Sequence, residues 1–495
     1  MIILDSKTMQ EMDNHSIENL GIPSLVLMEN AAKSWIEAAR PWLNQDQKTT
    51  VFCGSGNNGG DGYTIARNLV NEGFVCDVVV VLPPKSKDCI TNAELFSNFG
   101  ETISWDNFQI NTNFHQANMI WVDAVLGTGL DQELRAPLKE RISFINDLQG
   151  CKLAVDIPSG INGSTGDTMG AAIYVDATIT FQFSKIGHHL YPGKKATGKL
   201  EIKKISIKEN HSEDHPYFLV DDLLALSKLP NRKVDAYKHN FGHVATWCGS
   251  EGTLGAAFLA SFAALKSGSG LVTSALPEGK TESLLSRAPE IMTISQEKID
   301  LTWIQKFDTL VLGCGLGREK STWDQILPIL KQTSLPLVLD ADVFHGIDQW
   351  DQLDLSKAVL TPHAGEFAQL IKSNKPTSNQ EKIEQALNFV KTHQTTLILK
   401  GAPTIIFDPT GKMYINSTGN AGMATAGTGD VLAGIVGSFL GQGLSPKDAA
   451  ILGVWLHGKS GDLCKASYGE ESMTAMSLIE KLGEAFRALH QTKKT

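Results

Sequence analysis

Seven cysteines in 495 residues stand apart, at positions 53, 76, 89, 151, 248, 314 and 464, and none forms a CxxC pair. That spacing argues against a structural zinc site and against a disulfide framework. An odd, dispersed set suits a reducing cytoplasm. No run of 18 apolar residues occurs, so no membrane span is expected. The first residues, MIILDSKTMQEMD, carry acids where a secretory leader needs a basic and then an apolar run. Positive charge is also short: 44 Lys and Arg stand against 54 Asp and Glu, a formal net charge of −10. This disfavours nucleic acid and anionic membrane as partners and leaves small molecules. Three well-known chemistries lack their motifs, since there is no GxxxxGK[ST], no GxSxG and no HExxH.

What remains is an ordinary globular composition, 42% hydrophobic and 20% charged, in a chain too long for one core. The stretch from 419 to 434, GNAGMATAGTGDVLAG, organises the second half. Its glycines precede an apolar helix-forming run, so free amides and the positive helix end face one anion. Asp430 falls in the first turn of that helix. A carboxylate beside a bound phosphate has one natural task, to take a proton from a hydroxyl attacking phosphorus. The bland alternative is a tight turn with an acidic cap.

The first half alternates strand and helix. An apolar set at Leu25, Leu27, Met28, Ala31, Ala32 and Trp35 predicts a packed helix. A strand over 49–53 runs into GSGNNGGDGY, where Gly54, Gly56 and Gly59 fit GxGxxG before a helix. A dinucleotide redox fold would carry an acid at the end of the next strand, but Pro83, Pro84 and Lys85 follow it. The loop instead offers Asn57, Asn58 and Asp61, three oxygen-bearing side chains suited to a ribose, an amide or a hard cation. Two further strands end in Asp123, before LGTGLDQE, and in Asp156, before Ile157, Pro158, Ser159 and Gly160. In an open parallel sheet ligands lie beyond the carboxyl ends of strands, so these three ends are expected to converge. Asn58, Asp123 and Ser159 supply oxygen and little charge, which suits a monovalent cation. Asp156 is then the carboxylate left for proton transfer.

Residues 208–216, KENHSEDHP, are polar and aperiodic and read as a linker. The alternation restarts after Val220. Polar groups again follow strands: Asp340 and Asp342, His363 and Glu366, and Lys400 to Thr404. Asp340 and Asp342 read either as a metal pair or as a strand end. A hairpin is expected over 404–416 through Asp408, Pro409, Thr410 and Gly411. The fold class is α/β in both halves.

The motifs NNGGDGY, VDAVLGTGL and DIPSG, then GCGLGR, LDAD, LTPHAGEF, KGAPT and GNAGMATAGTGDVLAG, resemble those of the bifunctional NAD(P)H-hydrate repair enzymes over nearly the whole chain. The resemblance implies a Rossmann-like three-layer epimerase domain over 1–212 and a ribokinase-like three-layer dehydratase domain over 217–495. It implies a substrate hydrated at C6 of the nicotinamide ring. The first domain would interconvert the C6 epimers, with Asp156 as acid/base and K+ held by Asn58, Asp123 and Ser159. Its substrate loops would be Asn57, Asn58, Gly59, Gly60 and Asp61, and Gly127, Thr128, Gly129, Leu130, Asp131, Gln132 and Glu133. The second would dehydrate the S epimer using ADP (ATP in eukaryotes), with Mg2+ accompanying the nucleotide. Asp430 would be its base, and Ala256, Gly317, His363 and Asp430 would touch the substrate. Nucleotide would lie along Lys400, Gly401, Ala402, Pro403 and Thr404, and along Asn420, Ala421, Gly422, Met423, Ala424, Thr425, Ala426, Gly427, Thr428 and Gly429. A cytoplasmic homo-oligomer is expected. The alternative from another class is a ribokinase-like small-molecule kinase fused to a non-catalytic nucleotide-binding module. The family usually has glycine where Val343 stands, PHPGE where Ala364 stands, and proline where Cys314 stands. It usually has an Asp-containing turn after DIPSG, where Ile161, Asn162 and Gly163 stand. A glycine held at positive φ would resist replacement by valine.

Overall fold

The computed structural model describes residues 1–110, 119–208 and 215–492. The chain forms two compact units, one of Ile2–Tyr217 and one of Phe218–Thr495 together with Met1. Most of the expected linker, residues 209–214, lies outside the described residues.

The N-terminal unit is built on seven strands: β1 Thr49–Cys53, β2 Cys76–Val80, β3 Thr102–Ser104, β4 Ile120–Ala124, β5 Cys151–Val155, β6 Ala177–Phe181 and β7 Lys199–Lys203. Their order is β3-β2-β1-β4-β5-β6-β7, and every pairing is parallel. Every residue of β1, β4 and β6 is buried, as a sheet covered by helices on both faces requires. The order reverses between β1 and β4, which opens a crevice at their carboxyl ends. The helix Ser24–Ala39 buries Leu27, Met28, Ala31, Ala32, Trp35, Ile36 and Ala39, one helical stripe. Leu25 has the spacing of that stripe but stands in the first turn of the helix and is exposed, contrary to its inclusion in the packed set. The buried indole of Trp35 donates to the Ala154 carbonyl at 3.2 Å, which satisfies its one polar group.

The C-terminal unit has ten strands: β8 Tyr217–Val220, β9 His243–Trp247, β10 Leu271–Leu276, β11 Met292–Ser295, β12 Thr309–Leu312, β13 Leu337–Leu339, β14 Ala358–Leu360, β15 Thr396–Leu399, β16 Ile405–Phe407 and β17 Met413–Asn416. They run in the order β11-β10-β9-β12-β13-β14-β15-β16-β17-β8. The pairings from β11 through β15 are parallel, and β15–β16 and β16–β17 are antiparallel. The β16–β17 hairpin turns through Asp408, whose Oδ1 accepts from the amides of Thr410 at 2.9 Å and Lys412 at 3.0 Å. The helices Thr428–Gly441 and Pro446–Tyr468 are buried along most of their lengths and form the centre of this core with Trp455, Phe439 and Ile435.

The backbone around Val343 departs from what a glycine there suggests. Val343 begins a short helix, Val343–Gly346, and is fully buried. The positive φ in this stretch belongs to Ala341, at 55°. A β-branched side chain is therefore accommodated at 343 without a left-handed backbone.

Candidate active sites

In the N-terminal unit the three expected strand ends do meet. Gly54 closes β1 so tightly on the next turn that a Cβ there would lie 1.8 Å from the Val125 carbonyl oxygen. Only glycine permits that approach. The helix Asn57–Asn71 then starts beside β4. A cavity of about 720 Å³ opens there, lined by Asn57, Asn58 and Asp61, by residues 127–131 and by Asp156. Gln132 and Glu133 are not among the residues lining it.

Asn58, Asp123 and Ser159 form one connected network. Ser159 Oγ donates to Asp123 Oδ1 at 2.5 Å, and the Ser159 amide donates to Oδ2 at 2.7 Å. The Leu126 amide donates to Ser159 Oγ at 2.8 Å, and Asn58 Nδ2 donates to the Leu126 carbonyl at 3.0 Å. Burial pushes the Asp123 carboxyl up to about 6, against the pull of the Ser159 hydroxyl and amide. Asn58 Oδ1 is buried and has no partner among the described residues. An orphaned amide oxygen beside a desolvated carboxylate and a hydroxyl fits an oxygen-seeking monovalent cation.

Asp156 sits just after β5 in the left-handed region, at φ 65°. Its Oδ1 takes hydrogen bonds from Lys185 Nζ, from Thr180 Oγ1 at 2.8 Å and from the Phe181 amide at 3.3 Å. Burial alone would raise its pKa. The Lys185 ammonium, through charge and hydrogen bond, outweighs burial and holds the carboxylate below its ordinary range, with help from His188 and Thr180. Lys185 is itself 1% exposed. His188 ties the pair together: its Nδ1 accepts from the Lys185 amide at 3.0 Å, which leaves Nε2–H to donate to the Asp156 carbonyl at 3.0 Å. Burial first, then the Lys185 charge, lowers His188 to about 3, so it is the neutral tautomer this geometry needs. Lys185, His188 and Thr180 were not anticipated. They lie 24 to 32 residues along the chain from Asp156 and show no local pattern.

In the C-terminal unit the helix Thr428–Gly441 starts at Gly427, whose φ of 87° makes the turn. Asp430 is in its first turn, as expected. Burial first and the Asp340 charge second raise the Asp430 carboxyl to about 7, with Cys314 and Lys400 pulling the other way. Lys400 does not pair with Asp430. Its Nζ sits 2.7 Å from Asp340 Oδ1 and 3.8 Å from Glu366. Asp340 is thus a strand-end carboxylate committed to a lysine. Asp342 accepts the Gly317 amide at 2.9 Å and faces Arg318 at 3.6 Å, which shapes the 313–318 loop. Among the described residues, Cys314, Asp340 and Asp430 form a cluster with metal-like spacing. A buried thiol kept protonated by Cys248 and by burial is a poor partner for Mg2+, and Asp340 is already paired with Lys400. These residues do not make a dedicated magnesium cage.

His363 caps the helix Ala364–Leu370, its Nδ1 accepting the amides of Gly365 at 2.9 Å and Glu366 at 3.2 Å. A parallel bridge sets it beside Lys400. Ala256 lies under the 313–318 loop, where a Cβ at Gly315 would approach it to 2.9 Å. Thr404 Oγ1 donates to the Gly401 carbonyl at 3.2 Å. The 420–429 loop is anchored by Asp462, which accepts from Gly419 N and Asn420 Nδ2, each at 3.0 Å. Thr428 Oγ1 folds it back on the Met423 and Thr425 carbonyls. Ala424, Thr425 and Ala426 are left exposed. Glu366, Asp462 and the half-buried His457, whose pKa burial lowers to about 4, are further groups at this site that sequence reasoning did not assign.

Residues 244–484 match the family described as NAD(P)H-hydrate dehydratase, and residues 24–187 match the YjeF-related protein N-terminus. A ribokinase-like superfamily protein from Enterococcus faecalis superposes with a TM-score of 0.51 at 25% identity, over 57% of this chain and 99% of its own. The chain is 34% identical to the bifunctional NAD(P)H-hydrate repair enzyme Nnr of Moorella thermoacetica, over 100% of this chain and 98% of that protein. It is 31% identical to the same enzyme of Escherichia coli, over 95% and 91%. With relatives matched end to end through both units, the chain belongs to the family of bifunctional NAD(P)H-hydrate repair enzymes.

Proposed function

We propose that the protein repairs hydrated NADH and NADPH in two steps. The N-terminal unit interconverts the R and S forms at C6, with Asp156 as acid/base. The C-terminal unit dehydrates the S form at the expense of ADP. Hydroxide is a poor leaving group, so the hydroxyl oxygen first takes a phosphoryl group from ADP, which leaves AMP. Phosphate then departs from C6 as a proton is lost from C5, and the C5=C6 double bond returns. Asp430 removes the hydroxyl proton, and the amides of Gly427, Thr428 and Gly429 face the transferring group. The observation that carries this reading is Asp430 itself: a carboxylate at the start of a glycine-led helix, with proton affinity raised to about 7, close to that of an effective general base.

Lys400 to Thr404 and Asn420 to Gly429 would hold the nucleotide, with Mg2+ arriving on its phosphates. Ala256, Gly317, His363 and Asp430 would face the nicotinamide side of the substrate. Asn58, Asp123 and Ser159 would hold K+, which supplies a fixed positive charge near the substrate phosphates. Asn57 to Asp61 and Gly127 to Glu133 would bind the substrate in the epimerase unit. The working form would be a cytoplasmic homo-oligomer. Among the described residues no helix is long and apolar enough to cross a membrane.

Incubation with a mixture of hydrated NADH epimers and ADP tests the reading. Full recovery of NADH absorbance is expected, and Asp156→Ala should stop after the S form is consumed. No recovery with either ADP or ATP would refute it.

A further inference from the structure

Two carboxyls reach the N-terminal cavity in opposite electrostatic settings. Asp156 receives three hydrogen-bond donors, one of them the buried Lys185 ammonium. Asp61, partly buried on the helix Asn57–Asn71, has no donor on its carboxyl among the described residues. Burial first, then the charges of Asp156 and Asp13, raises its pKa well above the ordinary carboxylate value, which favours the protonated acid. The helix of Asp61 follows β1 and Asp156 follows β5, with β4 between these strands. Two strand spacings, about 10 Å, leave room for a ring between the two walls. The other charged groups facing this cavity are Lys7, Asp13, Asp88, Asp131 and Lys185. Asp13 is raised only to about 6 and is largely ionised at neutral pH. The orphaned Asn58 Oδ1 on the same wall as Asp61 marks that wall as built for a ligand.

Resting on the epimerase reading above, we propose that Asp61 is a second catalytic residue, the acid that lets the C6 hydroxyl leave as water while Asp156 serves the opposite face. C6 of the hydrate bears both a hydroxyl and the ring nitrogen N1. In one direction Asp61 gives its proton to the hydroxyl oxygen and the C6–O bond breaks. The N1 lone pair forms N1=C6, and the anionic Asp156 faces the resulting cation. A water then attacks C6 from the other face, the π pair returns to N1, and Asp156 takes the proton of the incoming water. One water leaves and one enters, and one proton has passed from Asp61 to Asp156. The reverse epimerisation exchanges the two roles. Separate environments that drive two carboxyls apart in proton affinity are how one site holds an acid and a base together.

The test uses the full-length protein and purified R-hydrated NADH in water enriched in oxygen-18. Each enzyme-catalysed epimerisation is expected to place solvent oxygen at C6. Asp61→Asn should lower kcat for epimerisation by ~10²-fold or more with KM little changed. Asp61→Glu should recover part of that loss. Dehydration of the S form should be unaffected in both. Retention of the original oxygen in the wild-type product, which signals opening of the C6–N1 bond instead, would overturn the proposal. So would epimerisation by a folded Asp61→Asn within twofold of wild type. If Asp61→Asn fails to fold, the isotope result on the wild type decides alone. A wild type that does not epimerise at all would remove the epimerase reading and the role of Asp61 with it.

Discussion

Each unit places an aspartate just beyond a strand or at a helix start and a lysine nearby, buried in the first and half-buried in the second, yet the two carboxylates end with opposite proton affinities. In the N-terminal unit Lys185 bonds directly to Asp156 and holds it ionised. In the C-terminal unit Lys400 bonds to Asp340 instead, and Asp430 rises to about 7. The inventory of residues is nearly the same. What differs is which carboxylate the lysine touches, because an ion pair formed in a poorly hydrated site outweighs the burial that would otherwise favour the neutral acid. The unpaired carboxylate is the one suited to take a proton from an alcohol near neutrality.

The largest effect should come from breaking the unpaired member. Asp430→Asn should reduce dehydration of the S form by ~10³-fold, while epimerisation followed by chromatography of the two forms stays intact. Next comes the paired member. Lys185→Met leaves an uncompensated buried carboxylate, which costs about 3–5 kcal/mol of stability. Asp156 should then titrate at higher pH, so that epimerase activity at neutral pH falls ~10²-fold and its acid limb moves up. Thermal melting and the pH profile of epimerisation read the two consequences separately.

A smaller effect separates the units without mutation. Asp430 must be ionised to accept a proton, so kcat/KM for dehydration should fall about tenfold per unit below pH 7 and level off above it. The depressed Asp156 should leave epimerisation without a matching loss through Asp156 over the same interval. Parallel acid limbs in a stopped assay of both activities would erase the contrast. The smallest effect concerns the cation. Replacing K+ by Li+ should lower epimerase activity a few-fold in the wild type, and Asn58→Ala should abolish that ion dependence, since Asn58 Oδ1 is the oxygen without a partner among the described residues.

Much of this was readable in the chain. The alternation of strands and helices, the glycine turns and the acids after strands come from local rules of backbone and burial. Asp430 in the first turn, Asp156 after β5 and the Asp408 hairpin follow from neighbours in sequence. The short strand β11 carries little signal in the sequence because MTIS is a half-exposed edge segment with little apolar pattern. Leu25 has the helical spacing of the buried residues, yet it stands in the first turn of its helix, where the end of the helix leaves it exposed. His363 reads in the sequence as a capping or core histidine, and the structure makes it a cap, its amide donating to the Glu366 carboxylate three residues on.

By itself the sequence determined the two α/β units, the places where backbone amides converge, and the carboxylates available to do chemistry there, because these depend on hydrophobic period and on glycine within a few residues. Only the tertiary structure decided their protonation. Lys185 reaches Asp156 across 29 residues and Lys400 reaches Asp340 across 60. Ion pairing and desolvation act through space, and no local pattern encodes which partner a buried lysine will meet.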